Sequence, residues 1–261
     1  MSTAQEHAPT GSQIRPVRIT WPLWGAAAAI IGGAWVVTVA TAGDFANLMM
    51  MQVSGGSPAD PLAFVALTAV MMAAMMLPSA LPMVEAHRGF VALDSGAAEA
   101  LLESSSFAVG YLAVWTAATA LALPVLALLG FIGSRGAPVP SAAGAVLVAA
   151  GIYQFTGWKK FCLRHCRSPM DFISTHFRKG RVGALRMGLS HAAYCLGCCW
   201  LLMLVWFVAG AMSLLWMAVF AGFILAEKVW SRGDWLSRAM GAASVAAGVA
   251  LLILGSTATA M

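Results

Sequence analysis

Two short stretches concentrate the side chains that bind soft cations. Tyr194–Trp200 reads YCLGCCW and carries Cys195, Cys198 and Cys199; Lys159–Pro169 reads KKFCLRHCRSP and carries Cys162, His165 and Cys166. These hold all 5 cysteines of the chain. On a helix of about 100° per residue with His191 at zero, Cys195 falls at about 40°, Cys198 at about −20° and Cys199 at about 80°. One imidazole and three thiols therefore share a single stripe. Cys162, His165 and Cys166 follow i, i+3, i+4 spacing and share a face if their helix continues to Pro169, which then stops it.

Thiolate and imidazole are the favoured donors for Cu(I) and Zn(II), so copper or zinc is the expected ion. A bound cation would also offset the cost of deprotonated thiols where the dielectric constant is low. No single helix can surround a tetrahedral ion from one stripe, so other elements must contribute. The basic residues Lys159, Lys160, Arg164 and Arg167 around the second cluster favour thiolate there. That cluster reads as a cytoplasmic inlet for metal, with ordinary juxtamembrane residues as the alternative. Cysteine is also a small packing residue, and Gly197 allows helices to approach closely, so packing competes with ligation for the first cluster as well.

Methionine supplies further candidate donors. In VMMAAMMLPSALPMV, the i, i+4 spacing stacks Met71 over Met75 and Met72 over Met76. Thioethers are neutral, soft donors that select Cu(I), and core filling is their competing use. Met71 and Met75 are taken as metal-path candidates. Pro78 and Pro82 are expected to kink this helix near its inner end. Glu85 and Glu227 read as solvated charges at helix ends, with receipt of ions or protons at the inner mouth as the alternative, and Lys228 beside Glu227 ends the sixth span on the cytoplasmic side. No Asp, Glu, Lys or Arg is expected deep in a span, which argues against a carboxylate-driven proton pump or a voltage sensor.

The elements that position these groups follow from composition. The chain of 261 residues is 61% hydrophobic and 10% charged, with a mean hydropathy of +0.83. A soluble domain has roughly 25% charged residues, so this is read as an integral membrane protein. Apolar runs predict about seven transmembrane helices, at 21–43, 60–84, 105–131, 139–160, 187–209, 212–229 and 235–256. Their apolar character on every side excludes the alternation of a transmembrane barrel. The fold class is therefore all-α, a polytopic helical bundle in the bilayer. It divides into a disordered cytoplasmic tail over 1–20 and a single transmembrane domain over 21–261. Ala40-Thr41-Ala42 resembles a signal-peptidase site, but the preceding run is long for a cleaved leader and is kept as a span.

The basic residues orient the bundle, because cytoplasmic loops collect Lys and Arg. With the N-terminus inside, 15 Lys and Arg distribute so that only Arg135 falls outside. The formal charge of +5 is thus explained by topology in a cell (inner) membrane, and nucleic-acid binding is excluded as a function class. With an inner end near Met187, His191 lies about 6 Å deep and the cysteines about 12–18 Å deep.

Ala149–Pro169 (AAGIYQFTGWKKFCLRHCRSP), Met187–Phe220 and the Glu227-Lys228 pair, together with MMLPSALPMV over Met75–Val84, resemble a bacterial family. It is the family of predicted metal-binding integral membrane proteins catalogued as domain of unknown function 2182. The resemblance spans about residues 60–245, with Ala192 where such proteins often have glycine. It implies a multi-span helical protein whose motif positions Cys162, His165, Cys166, Cys195, Cys198 and Cys199 hold metal.

Three functions remain open on these residues. The first is a membrane protein that handles a soft cation, copper foremost, by transport or by delivery to a metal-receiving membrane or periplasmic protein. The second is a thiol-redox protein using the C-x-x-C of Cys195 and Cys198, although an i, i+3 pair in a regular helix is poorly placed for a disulfide. The third is a non-catalytic scaffold subunit of a membrane complex. No soluble-enzyme constellation is present, and the bundle leaves room for an oligomer.

Overall fold

A computed structural model describes residues 21–53, 61–128, 140–210 and 213–259. The tail expected over 1–20 lies outside the described residues. Among the described residues all regular structure is helical: α1 (Trp21–Ala40), α2 (Ala42–Val53), α3 (Pro61–Leu128), α4 (Pro140–Tyr153), α5 (Gly157–Arg167), α6 (Pro169–His176), α7 (Gly180–Gly210), α8 (Leu214–Val229) and α9 (Gly233–Thr259). Proline opens α3, α4 and α6, where its missing N–H has no intrahelical partner to lose. The seven apolar stretches are largely helical over their described residues, the one expected over 139–160 being interrupted at Gln154–Thr156. Among the described residues, three helices, within Pro61–Ala122, Gly180–Phe207 and Gly233–Leu254, are long and apolar enough to cross a membrane.

α3 is two arms joined at Gly96, whose φ of 78° and ψ of 170° break the helix. Only glycine adopts that region freely, so the break falls there and not at the prolines. The backbone dihedrals stay helical through Pro78 and Pro82, where the sequence predicts a kink. Instead the Ser79 hydroxyl donates to the Met76 carbonyl at 2.9 Å, and Tyr111 of the second arm donates to the same carbonyl at 3.5 Å. These side chains give that carbonyl polar partners in an apolar interior.

Small residues set the closest helix contacts. Any side chain at Gly110 would strike the Leu185 carbonyl, and at Gly188 the Phe107 carbonyl, so the second arm of α3 lies directly against α7. Gly144, Gly151, Gly241 and Gly248 do the same for α4 and α9. The core between α3, α7, α5 and α8 contains Met71, Met72, Met75, Met76, Tyr111, Trp115, Trp206 and four of the cysteines with Cys162. Apolar side chains such as Ile30, Val36, Leu121, Leu215 and Val249 face outward. An outward apolar surface of this kind suits a hydrocarbon surround.

The basic end of the bundle is tied by ion pairs. Arg167 donates to Asp234 and to the Trp230 carbonyl, each at 2.7 Å, which anchors the end of α5 to the turn between α8 and α9. Lys179 pairs with Asp94 at 2.6 Å and Arg181 with Glu99 at 3.2 Å, fixing the start of α7 to the bend in α3. The Asp94 carboxylate holds the Lys179 ammonium above its usual pKa range.

Candidate metal centre

The helix expected over 139–160 ends early, and that break builds the site. α4 stops at Tyr153, the chain turns through Gln154–Thr156, and α5 starts afresh at Gly157. Thr156 caps it, its hydroxyl accepting from the Lys159 amide at 3.3 Å. α5 is therefore a separate helix, packed against α7. Pro169 ends α5 as expected and also opens α6. A side chain at Gly197 would place its Cβ 2.7 Å from the Cys162 sulfur, so the bare backbone at this position lets α5 reach α7. The Tyr153 hydroxyl donates to the Gly197 carbonyl and locks the end of α4 to the same turn.

This approach brings the two cysteine motifs together. The sulfurs of Cys166, Cys195 and Cys198 all lie within 4.8 Å of one another, and all three residues are buried. Cys166 and Cys198 are 3.9 Å apart, and all five cysteines are free. The sequence reading treats CLRHC and CLGCC as two separate stations, and the structure merges one sulfur of the first with two of the second. An ion between them would take ligands from both α5 and α7, which removes the difficulty of a single-helix site.

The remaining predicted ligands take other positions. Cys199 is buried and donates from its sulfur to the Cys195 carbonyl at 3.0 Å, as Cys198 does at 3.1 Å. Cys162 is buried beside Gly197. His165 turns away onto the Tyr194 ring, stacked at 4.4 Å with 3° between planes. Its Nδ1 lies 3.0 Å from the Phe161 carbonyl. His191 is buried among Phe107, Tyr111 and Phe172, and its Nδ1 has no hydrogen-bond partner among the described residues. A buried imidazole nitrogen without a partner is costly unless a ligand occupies it. Met71 and Met75 are buried in the same apolar core as the thiols, and Met71 also lines a small cavity with Thr38, Phe45 and Met217.

The charges beside the thiols are the largest departure from the sequence reading. Glu227 and Lys228 are 1% and 6% exposed and Lys159 is 1% exposed, so none is a solvated helix-end charge. Lys228 donates to the Cys195 sulfur at 2.9 Å and to the Ser79 hydroxyl at 3.0 Å. The Tyr111 hydroxyl also lies 3.1 Å from the Cys195 sulfur. Glu227 points the other way, pairing with Lys159 at 2.5 Å and accepting from Ser237 at 2.5 Å. Lys159 donates further to Gln154, whose side-chain oxygen also lies 3.0 Å from the Ser237 hydroxyl. The turn after α8 holds this arrangement, because a side chain at Gly233 would collide with the Glu227 carbonyl.

Sequence reasoning placed these charges at the membrane surface because each lies near the end of an apolar run. Their burial comes from α5 and the start of α9, which fold over the ends of the longer helices. The usable signal is the adjacent Glu227-Lys228 pair directly after forty residues, 187–226, without Asp, Glu, Lys or Arg, since two opposite charges there can each be neutralised by a different neighbour.

An arrangement of three buried thiols, one cationic donor and an unpartnered imidazole suits reversible binding of a soft ion. A family model described as PpoB2, copper chaperone, matches residues 65–251, which include every residue of this centre. No curated protein and no solved structure shows a significant match. The match fits the metal-related family that the cysteine motifs imply and supports copper in particular, and over this range the chain belongs to the PpoB2 family of copper chaperones.

Proposed function

We propose that this protein is a membrane-embedded copper chaperone that holds Cu(I) between α5 and α7 on Cys166, Cys195 and Cys198 and delivers it to a metal-receiving membrane or periplasmic protein. The observation that carries this reading is the convergence of three buried, free thiols from two helices within 4.8 Å, in a chain of the copper chaperone family. Sulfur donors in a site closed to water select Cu(I) over harder ions. His191, one turn before Cys195, and Cys199 and Cys162 are the further donors on which the ion is exchanged. Met71 and Met75 supply neutral sulfur along the core, and His165 acts at the basic end. The bundle crosses the cell membrane about seven times as one domain, with its N-terminus and the basic end on the cytoplasmic side.

The test is metal content. Protein purified in detergent after growth or reconstitution with Cu(I) is expected to carry stoichiometric copper, and a Cys166→Ser/Cys195→Ser/Cys198→Ser variant is expected to carry none. Wild-type protein that stays copper-free under every loading condition would overturn the proposal.

Thiol redox is the second reading, and one observation favours keeping it. The 3.9 Å Cys166–Cys198 pair joins two helices, so it avoids the poor i, i+3 geometry of Cys195 and Cys198. Thiol trapping in cells separates the two functions: a Cys166–Cys198 disulfide that follows the redox state of the cell supports exchange of electrons, whereas permanently reduced thiols support copper binding.

A further inference from the structure

The two buried lysines differ in a way that bears on how copper leaves. Lys159 has a carboxylate, Glu227, at 2.5 Å, and Glu227 has Ser237 as its other partner at 2.5 Å. Lys228 has no carboxylate among the described residues. Its partners are the neutral Ser79 hydroxyl at 3.0 Å and the Cys195 sulfur at 2.9 Å. The Lys159–Glu227 pair balances itself, whereas the ammonium of Lys228 has no carboxylate counter-charge among the described residues, and the sulfur it leans on is one the metal uses.

We propose that Lys228 is the release element of the centre: a fixed cation that shares Cys195 with the bound ion and keeps its capture reversible. The inference rests on the copper-handling reading above and adds a residue that controls transfer. A metal–sulfur bond of about 2.3 Å places an ion on Cys195 about 4–5 Å from the ammonium. Two unit charges at that separation, with an effective dielectric constant of about 20, oppose each other by a factor on the order of 100–1000 in affinity. The thiolates between them reduce that factor, and a tenfold effect is a lower bound on what should remain.

The geometry also supplies the return state. When copper departs, Lys228 regains Cys195 as its hydrogen-bond acceptor, so the emptied site does not face its charge unpaired. A three-thiol site without such a cation would hold Cu(I) too tightly for a protein whose task is to give it away. Ser79 and Tyr111 hold the two partners in register, one on the ammonium and one on the sulfur. No electron is transferred: the exchange replaces a copper–sulfur bond on this protein with one on the acceptor.

The test measures release of Cu(I) from loaded, detergent-purified protein to a chromogenic Cu(I) chelator under anaerobic reducing conditions. Release is read per copper bound in Lys228→Met and Lys228→Gln, each verified as folded by size exclusion. Each should release it at least about tenfold more slowly, whereas Lys228→Arg keeps the charge and the wild-type rate. The glutamine variant retains a donor for Ser79, so it still reports if the methionine variant fails to fold. Neutral variants that release copper as fast as wild type, or faster, overturn the role of Lys228 while leaving copper binding intact. A wild type that never loads copper overturns the copper reading and this inference with it.

Discussion

Replacing Glu227 by leucine would leave the Lys159 ammonium buried without its carboxylate. The two groups are 2.5 Å apart and each is 1% exposed. At an effective dielectric constant of about 20 their attraction is about 6–7 kcal/mol, most of which offsets the cost of taking both charges out of water. Removing one partner forfeits the attraction and keeps the desolvation of the other, typically about 3–5 kcal/mol. Because Gln154 still accepts from Lys159, Glu227→Leu should lose about 3–4 kcal/mol. Lys159→Met combined with Glu227→Leu removes both charges and should recover to within about 1–2 kcal/mol of wild type. Unfolding in mixed micelles, followed by tryptophan fluorescence, measures all three proteins and the matching Lys159→Met single variant. A loss below about 1 kcal/mol in Glu227→Leu, or a double variant no more stable than Glu227→Leu, would refute a closed buried pair and with it the isolation of Lys228.

Two further substitutions test the backbone that builds the centre. Gly197→Ala puts a methyl 2.7 Å from the Cys162 sulfur and should cost about 1–3 kcal/mol while lowering copper occupancy, because α5 must draw back from α7. Adding Cys162→Ala leaves the residue-162 Cβ at 3.5 Å and the Trp158 Nε1 at 4.0 Å, ordinary contacts, and should restore most of the stability in the same unfolding assay. Gly96→Ala meets no neighbouring atom within 4 Å, so its expected loss of about 1 kcal/mol comes from the positive φ alone and should leave copper occupancy unchanged.

The chemistry of the centre was legible in the sequence because it is local. Cys195, Cys198, Cys199 and His191 fall on one stripe by helical spacing, and the structure buries all four. The tight Gly197 contact was likewise readable as permission for a helix to approach. What local spacing could not reveal was which sulfurs meet. Cys166 joins Cys195 and Cys198 because α5 begins as a separate helix after Thr156, and His165, one residue away, is carried onto Tyr194 instead. The sequence pattern continued one helix through that turn, since nothing in the apolar run marks the break.

The buried charges show the same division. Hydropathy alone determines that the chain is helical and apolar enough for a membrane, because every residue contributes to that signal independently of its neighbours in space. The fate of Lys159, Glu227 and Lys228 depends on pairing between helices far apart in sequence: Glu227 with Lys159, Lys228 with Cys195 and Ser79. A charge at the end of an apolar run has the same sequence signature whether water or another helix covers it. Only the tertiary structure decides between them, because the energy of a buried charge is set by its partner.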